Sequence, residues 1–357
     1  MGKFTLGQKR PLIIAGPCSA ETREQTLETA LRLARSGKVD VIRAGIWKPR
    51  TKPGTFEGIG EIGLDWLNEV KEQTGIPIAV EIANRTHVEI ALKHGVDILW
   101  IGARTTVSPF AVQEIAEALH DNKDVTVLIK NPMTPDINLW EGAVKRLIAE
   151  GVPEKNIGLI HRGFSYFGHS TYRNPPMWHM IFDMRSRFPD MMMICDPSHI
   201  CGCRPLLLGI AQQSADLCFD GLMIESHIDP DKAWSDASQQ VTPEDCLNII
   251  DNIMWRKKNA EDPEFNSELN ICRQKIDQID SELFDLLSQR MRTADKIGQI
   301  KKASNVAILQ SNRWNEITRR MVSMTRGMGL SEEFVNTVLE AIHMESINHQ
   351  NEVMNNK

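Results

Sequence analysis

Eight short apolar runs, each followed by a segment of helical periodicity, recur between residues 11 and 226 and restrict the fold more than any other feature. They are PLIIAGP (11–17), VDVIRAG (39–45), IPIAVEI (76–82), DILWIGA (97–103), VTVLIKN (125–131), IGLIHRG (157–163), MMMICDPS (191–198) and GLMIES (221–226). Most are continuously apolar rather than alternating, as parallel strands buried on both faces are. Amphipathic stretches such as REQTLETALRLARSG and PFAVQEIAEALHDN separate them. Eight such units in about 250 residues predict an α/β fold, a (β/α)8 TIM barrel. The doubly wound open sheet is disfavoured because no Gly-rich dinucleotide loop follows the first run.

At 357 residues the chain exceeds one core, and the alternation stops near WRKKNAEDPEFNSE. This predicts a barrel over 1–254, a charged Pro-containing linker over 255–266 and a helical domain over 267–357. A formal charge of −6 argues against a nucleic-acid surface, while leaving room for a local basic pocket. No apolar stretch is long enough to span a membrane, and the N-terminal run is too short for a signal peptide. Seven cysteines, an odd number, in such a chain suggest reduced thiols and a cytoplasmic location.

A barrel carries its chemistry at the C-terminal ends of its strands. Those ends supply Cys18, Arg43, Lys48, Arg50, Thr51, Glu81, Arg104, Lys130, His161, Arg162, Asp196, His199 and Glu225, with Asp236 in the loop beyond. Arg43, Lys48, Arg50, Arg104, Lys130 and Arg162 make a cationic mouth on an acidic protein. Cys18, His199, Glu225 and Asp236 are residue types that bind a divalent transition metal. A strand-end arginine alone is often a solvated loop residue, and a buried cysteine is usually a small hydrophobe. Their joint placement on one rim indicates metal-assisted chemistry on substrates bearing phosphate or carboxylate groups.

The motifs AGPCSAE, RAGIWKPRT, IGAR, IKNPM, HRGFS, DPSHI and ESHIDPDKAWSDASQQ, in order along residues 8–250, strongly resemble the type Iβ class of 3-deoxy-D-arabino-heptulosonate 7-phosphate (DAHP) synthases. The resemblance implies condensation of phosphoenolpyruvate with erythrose 4-phosphate at the entry to the shikimate pathway. It implies Cys18, His199, Glu225 and Asp236 as ligands of a divalent metal, whether Mn, Fe, Co, Zn or Cu. It also implies Lys48, Arg104, Lys130 and Arg162 as phosphoenolpyruvate contacts and Arg50 and Thr51 as aldose phosphate contacts. Lys130 or His161 would move protons, with Asp196 near the aldehyde or the metal. A sister family makes 3-deoxy-D-manno-octulosonate 8-phosphate on a similar barrel and differs in the aldose loop, where Lys48-Pro49-Arg50-Thr51 favours the four-carbon sugar. A Schiff-base aldolase using Lys130 would leave the Cys/His/Glu/Asp set unexplained. CDPSHICGC (195–203) resembles a zinc knuckle, but no second ligand pair lies nearby. The resemblance leaves His199 as the one ligand in this stretch, with Cys195, Cys201 and Cys203 as packing thiols.

The last ninety residues predict three helices, near 267–303, 311–326 and 331–354. Apolar residues at 269, 272, 276, 279, 283 and 286 form a packing seam that continues to Arg290, Ala294, Ile297 and Lys301. Arg290 and Lys301 share one helical face, and cations on a packed face need an anionic partner. Arg273 lies roughly 25 Å before Arg290 along the same helix, so an antiparallel partner helix, and hence an intertwined dimer, would be needed to bring it there. Residues 269–350 resemble the all-helical chorismate mutases, with Arg273, Arg290, Lys301, Arg313, Ser346 and Gln350 at the ligand-binding positions. This implies conversion of chorismate to prephenate, with Arg290, Lys301 and Gln350 in catalytic roles. Trp314 and Gln310 depart from the glutamate and aspartate of better-known members. Only about ten residues precede the first strand, so the helical domain is the expected sensor of feedback, with prephenate as allosteric inhibitor. The competing expectation is a 3-deoxy-octulosonate 8-phosphate synthase-like barrel joined to a non-catalytic helical module for ligand binding and dimerisation.

Overall fold

The computed structural model describes residues 4–7, 11–49, 54–122, 124–257, 260, 262–309 and 311–355, with the side chains of 311–313 excluded. The chain divides into two compact units, residues 1–258 and 259–357.

In the first unit, β1 (Leu12–Gly16), β2 (Val41–Arg43), β3 (Ile78–Ile82), β4 (Ile98–Ile101), β5 (Thr126–Lys130), β6 (Ile157–His161), β7 (Met192–Cys195) and β8 (Gly221–Glu225) form a closed parallel barrel in sequence order. Every strand falls inside one of the eight apolar runs. Pairing of β1 with β8, from Leu12 opposite Gly221 to Gly16 opposite Glu225, closes the ring. The helices are α1 (Arg23–Ala34), α2 (Ile62–Thr74), α3 (Arg85–Lys93), α4 (Ala103–Thr106), α5 (Pro109–Ala118), α6 (Ile137–Ala149), α7 (Trp178–Arg187), α8 (Pro197–Cys201), α9 (Leu207–Asp216) and α10 (Pro243–Asp251). Thr22, Asn84, Ser108, Asp136 and Thr242 start α1, α3, α5, α6 and α10 by accepting a backbone N–H on the side chain.

Two apolar clusters follow from the strand pleat. The larger joins outward strand residues to the helices. The smaller, Leu12, Ile14, Val41, Ala79, Ile98, Trp100, Leu128, Ile160, Met192, Ile194 and Met223, comes from strands alone and fills the barrel. Phe4 and Leu6 pack against it.

The second unit consists of α11 (Pro263–Ala303), α12 (Ser311–Thr325) and α13 (Glu332–Asn355). The first helix begins about one turn before its expected start. Proline stops a helix internally but suits its first turn, and Asp262 caps Pro263 by accepting from the Glu264 N–H. The backbones of α11 and α13 pack closely at Gly298, where a Cβ would stand 3.2 Å from the Cα of Gln350. No described helix is long and apolar enough to cross a membrane.

Candidate active sites in the barrel and the helical unit

Pleat geometry decides which side chains reach the barrel mouth, because alternate residues of a strand face inward. The interior residues Val41, Ala79, Leu128, Ile160, Ile194 and Met223 are each followed two positions later by a charged residue: Arg43, Glu81, Lys130, Arg162, Asp196 and Glu225. These six make the rung above the apolar core. On the same rung, β1 carries Gly16, with φ +146° and no room for a Cβ, which would stand 2.1 Å from the Arg43 carbonyl oxygen. Glycine there lets the chain turn past β2 and carry Cys18 to the site.

Cys18, Glu225 and Asp236 each offer a donor atom within 4.8 Å of the others. Cys18 Sγ lies 3.5 Å from Asp236 Oδ2, and Lys48 Nζ donates to the same sulfur at 3.2 Å. Gln239 Nε2 donates to Glu225 Oε2 at 2.7 Å. Glu225 Oε1 is buried without a hydrogen bond, 3.3 Å from Arg43 Nη2. Asp236 sits at φ +46° and accepts from Arg173 Nη1 at 3.0 Å. His199 stands at the edge of this set, with Nε2 3.8 Å from Glu225 Oε1 and Nδ1 2.8 Å from Asp196 Oδ2. A carboxylate on Nδ1 turns Nε2 towards the cluster, as metal-ligating histidines are ordinarily held.

The electrostatics suit an added cation. Burial pushes the Cys18 thiol up to about 12, with Glu225 adding to the effect and Lys48 opposing it. Burial also works against the Glu225 carboxylate, but the charges of His199, Arg43 and Lys48 outweigh it and hold the group below its usual range. A thiol and two carboxylates, with an imidazole at their edge and a Glu225 oxygen that makes no hydrogen bond, fit a divalent transition ion. Cys195, out of phase with Ile194 and Asp196, packs in the outer layer with Cys201, and burial pushes the Cys201 thiol up to about 12. Among the described residues neither these nor Cys203 joins the cluster.

Beside it, Lys48, Glu81, Arg104, Lys130, Arg162, His199 and Asp236 border a cavity of about 50 Å³. Lys130 Nζ donates to the fully buried Asp196 at 2.7 Å. The Lys130 ammonium and the Arg43 guanidinium lie 5.9 and 4.8 Å from the Trp100 ring centroid, so an aromatic face backs both cations. Burial lowers the Arg162 guanidinium to about 10; Asp196 opposes this, and the cations of Arg173 and Arg104 reinforce it. A guanidinium disfavoured by burial and by like charges is prepared for an anion.

His161 departs from the expectation of a mouth residue. It is out of phase with Ile160 and Arg162, and its ring lies among Phe164, Trp178 and Phe219 at centroid distances of 5.7, 5.3 and 6.1 Å. Burial, reinforced by Arg162, lowers it to about 3, so it stays neutral at ordinary pH. Period two along β6 explains the difference: a side chain between two inward residues points outward. Arg50 and Thr51 lie outside the described residues. Arg173 and Gln239, which hold Asp236 and Glu225, come from long loops; Gln239 falls within the quoted ESHIDPDKAWSDASQQ stretch, whereas no motif pointed to Arg173. Trp100 was open to discovery by counting pleats from Ile98.

In the helical unit a cavity of about 460 Å³ is lined by Arg290, Thr293, Ala294, Ile297, Lys301, Ile308, Trp314, Ile317, His343, Ser346, Ile347 and Gln350. The shared face of Arg290 and Lys301 thus opens onto one space. Arg290 Nη1 donates to Ser346 Oγ, and Lys301 Nζ donates to the Ile308 carbonyl at 2.6 Å. Gln350 Nε2 donates to the Ser346 carbonyl at 3.1 Å, leaving Oε1 buried without a partner. No acidic side chain is among the described lining residues. Trp314 stacks on His343 with centroids 4.4 Å apart. Burial, together with the charges of Arg290 and Lys301, holds the His343 imidazole below its usual range. Arg273 is exposed on α11 and does not line the cavity within this chain. Gln310 and the Arg313 side chain lie outside the described residues.

Comparison with known proteins matches each unit to a family. A family model described as DAHP synthetase I family matches residues 3–261, and one described as chorismate mutase type II matches residues 272–351. A phospho-2-dehydro-3-deoxyheptonate aldolase of Thermotoga maritima is 31% identical over 242 residues, covering 68% of each chain. A 2-dehydro-3-deoxyphosphooctonate aldolase of Legionella pneumophila is 28% identical over 274 residues, covering 70% of this chain and 93% of that one. The crystal structure of the Thermotoga maritima DAHP synthase superposes with a TM-score of 0.59 at 28% identity, covering 67% of each chain. The chain belongs to the DAHP synthetase I family and is a two-activity enzyme, a DAHP synthase barrel followed in sequence by a type II chorismate mutase domain.

Proposed function

We propose that the barrel condenses phosphoenolpyruvate with erythrose 4-phosphate to DAHP and inorganic phosphate, and that the helical unit converts chorismate to prephenate. The observation that carries the barrel reading is the crowding of Arg104, Arg162 and Arg173 beside a thiol–carboxylate cluster, one oxygen of which makes no hydrogen bond. Cationic crowding calls for a multiply anionic substrate, and the cluster calls for a cation. Phosphate release and sugar product, assayed with erythrose 4-phosphate and with arabinose 5-phosphate, test it. The four-carbon aldose is expected to be used at least about tenfold better, a difference of about 1.4 kcal/mol. Preference for the five-carbon aldose would move the reading to an octulosonate phosphate synthase.

A divalent ion held by Cys18, Glu225, Asp236 and His199 would supply Lewis acidity towards the aldehyde oxygen. The chain's own groups account for the rest. Lys48, Arg104, Lys130 and Arg162 bind the phosphate and carboxylate of phosphoenolpyruvate, and Arg50 and Thr51 bind the aldose phosphate. Holding two mutually repelling anions together turns their encounter into an intramolecular step, in which C3 of phosphoenolpyruvate attacks the aldehyde carbon. Lys130, which donates a hydrogen bond to Asp196 at 2.7 Å, gives a proton to the developing alkoxide. Water then adds at C2, and phosphate leaves with its bridging oxygen.

In the helical unit the rearrangement needs no nucleophile, so positioning and charge account for the catalysis. Arg290 binds a carboxylate, and Lys301 and the second N–H of Gln350 donate to the breaking ether oxygen. Ile271, Ile276, Ile279, Leu283, Phe284 and Leu286 are each more than half exposed on α11. A stripe of that kind supports pairing with a second copy, which would bring Arg273 to the partner's cavity. Sedimentation is expected to give at least a dimer; a monomer at micromolar concentration would overturn this. Prephenate in the helical cavity is proposed to inhibit the barrel. Deleting residues 262–357 should abolish that inhibition, and persistence of inhibition in the remaining barrel would end the idea. All seven cysteines are free thiols, which supports a reducing cytoplasm.

A further inference from the structure

The loop that carries Asp236 is fastened to the loop that carries Cys18 by buried residues that belong neither to the thiol–carboxylate cluster nor to the lining of the cavity beside it. Glu21 and His227 are 4% and 3% exposed. His227 Nδ1 accepts from the Asp229 N–H at 2.9 Å, so the ring hydrogen sits on Nε2, which donates to Glu21 Oε2 at 3.3 Å. Glu21 Oε1 accepts from the Trp234 N–H at 2.7 Å. Both carboxylate oxygens therefore take a donor from the β8 loop. Two further links run in parallel. Ser19 Oγ lies 2.6 Å from Ser235 Oγ, and Gln240 Oε1 accepts from the Cys18 N–H at 2.9 Å while its Nε2 donates to the Ser235 carbonyl at 2.8 Å.

This clasp grips the residues immediately before Asp236, which is itself in the left-handed region at φ +46°. A non-glycine residue stays there only when its surroundings over-determine it. Without the clasp the backbone relaxes, and the carboxylate leaves the 4.8 Å cluster it shares with Cys18 and Glu225. We propose that Glu21, acting with His227 and supported by Ser19, is a positioning residue for the metal centre, fixing the spacing between Cys18 and Asp236. This rests on the metal reading above.

Glu21→Gln tests the idea without changing shape. An amide has one acceptor oxygen and one NH2, so it must aim a donor at one of the two N–H groups that Glu21 now satisfies. The probe is Co²⁺ added to the metal-free full chain, with affinity read by chelator competition and Cys18 ligation by the thiolate-to-cobalt absorption band. Glu21→Gln is expected to weaken Co²⁺ binding about tenfold or more, the range seen when supports behind metal ligands are removed. The band should weaken with it, while the metal-free melting temperature stays within a few degrees of wild type. Ser19→Ala, which leaves Glu21 intact, should act in the same direction by a smaller factor. Unchanged affinity in both variants would overturn the proposal, as would an affinity loss that merely tracks loss of folded protein. If Glu21→Gln does not fold, Ser19→Ala decides alone. A wild-type chain that shows no thiolate band removes the metal reading and this inference with it, whereas loss confined to the variants isolates the clasp.

Discussion

The two cavities handle charge in opposite ways. At the barrel mouth, Lys130 meets Asp196, Arg43 meets Glu225 and Arg173 meets Asp236. In the helical cavity, Arg290 and Lys301 meet a hydroxyl and backbone carbonyls, with no carboxylate among the described lining residues. A buried ion pair is costly to break from one side, because the remaining charge is stranded. A cation bonded to neutral groups strands nothing when removed, and its anionic partner arrives with the ligand. Barrel site residues should therefore carry stability as well as chemistry, whereas those of the helical cavity should carry chemistry nearly alone.

The largest expected effect tests the first half of that contrast. Glu225→Gln leaves the Arg43 guanidinium, 1% exposed, without its carboxylate, and should lower the unfolding free energy of the barrel by about 3–5 kcal/mol. Denaturant unfolding followed by circular dichroism measures it, and a loss below about 1 kcal/mol would erase the distinction. Arg290→Ala tests the second half. Prephenate formation should fall about 100-fold or more, with the unfolding midpoint of the helical unit and DAHP formation both essentially unchanged. A large stability loss would show that the helical cavity, too, is held together by its charges.

A third effect isolates burial from pairing. In the folded chain the His161 imidazole takes a proton only near pH 3, whereas in the unfolded chain it does so below about 6.5. The unfolded chain thus binds more protons between those values, and stability falls as pH drops through that window. The slope from this group is about 1.4 kcal/mol per pH unit. Between pH 6.5 and 5 the wild type should lose about 2 kcal/mol more than His161→Leu, while the pH profile of DAHP formation should keep its shape. The smallest effect concerns the thiols. Replacing Cys201 and Cys203 together by serine should change Co²⁺ affinity less than about twofold, whereas Cys18→Ser should lower it by about tenfold or more, measured by the same competition titration.

Much of this was legible in the sequence for a simple reason. Parallel strands buried on both faces must be continuously apolar, so β1 to β8 announced themselves, and barrel topology sends the residues after them to one rim. The limits were equally physical. His161 ends a strand yet lies away from the mouth, because the two-residue period of β6 turns its ring outward among Phe164, Trp178 and Phe219. The start of α11 lies ahead of its expected position because Pro263, inside the expected linker, is a first-turn residue capped by Asp262. Arg173, Gln239, Glu21 and His227 act through loop conformations, and loops carry no periodicity from which a side chain's destination can be counted.

If Asp236 ligates the proposed ion, its left-handed backbone sets selection for folding against selection for metal binding. A glycine at that position would relieve the conformational strain, worth about 1–2 kcal/mol, and would delete a donor from the cluster. Random drift filtered only for a sturdy, soluble chain would therefore erode this ligand early, before the thiol or the buried glutamate. On the proposed metal reading, the place of the Asp236 carboxylate in the cluster offsets the strain of its backbone.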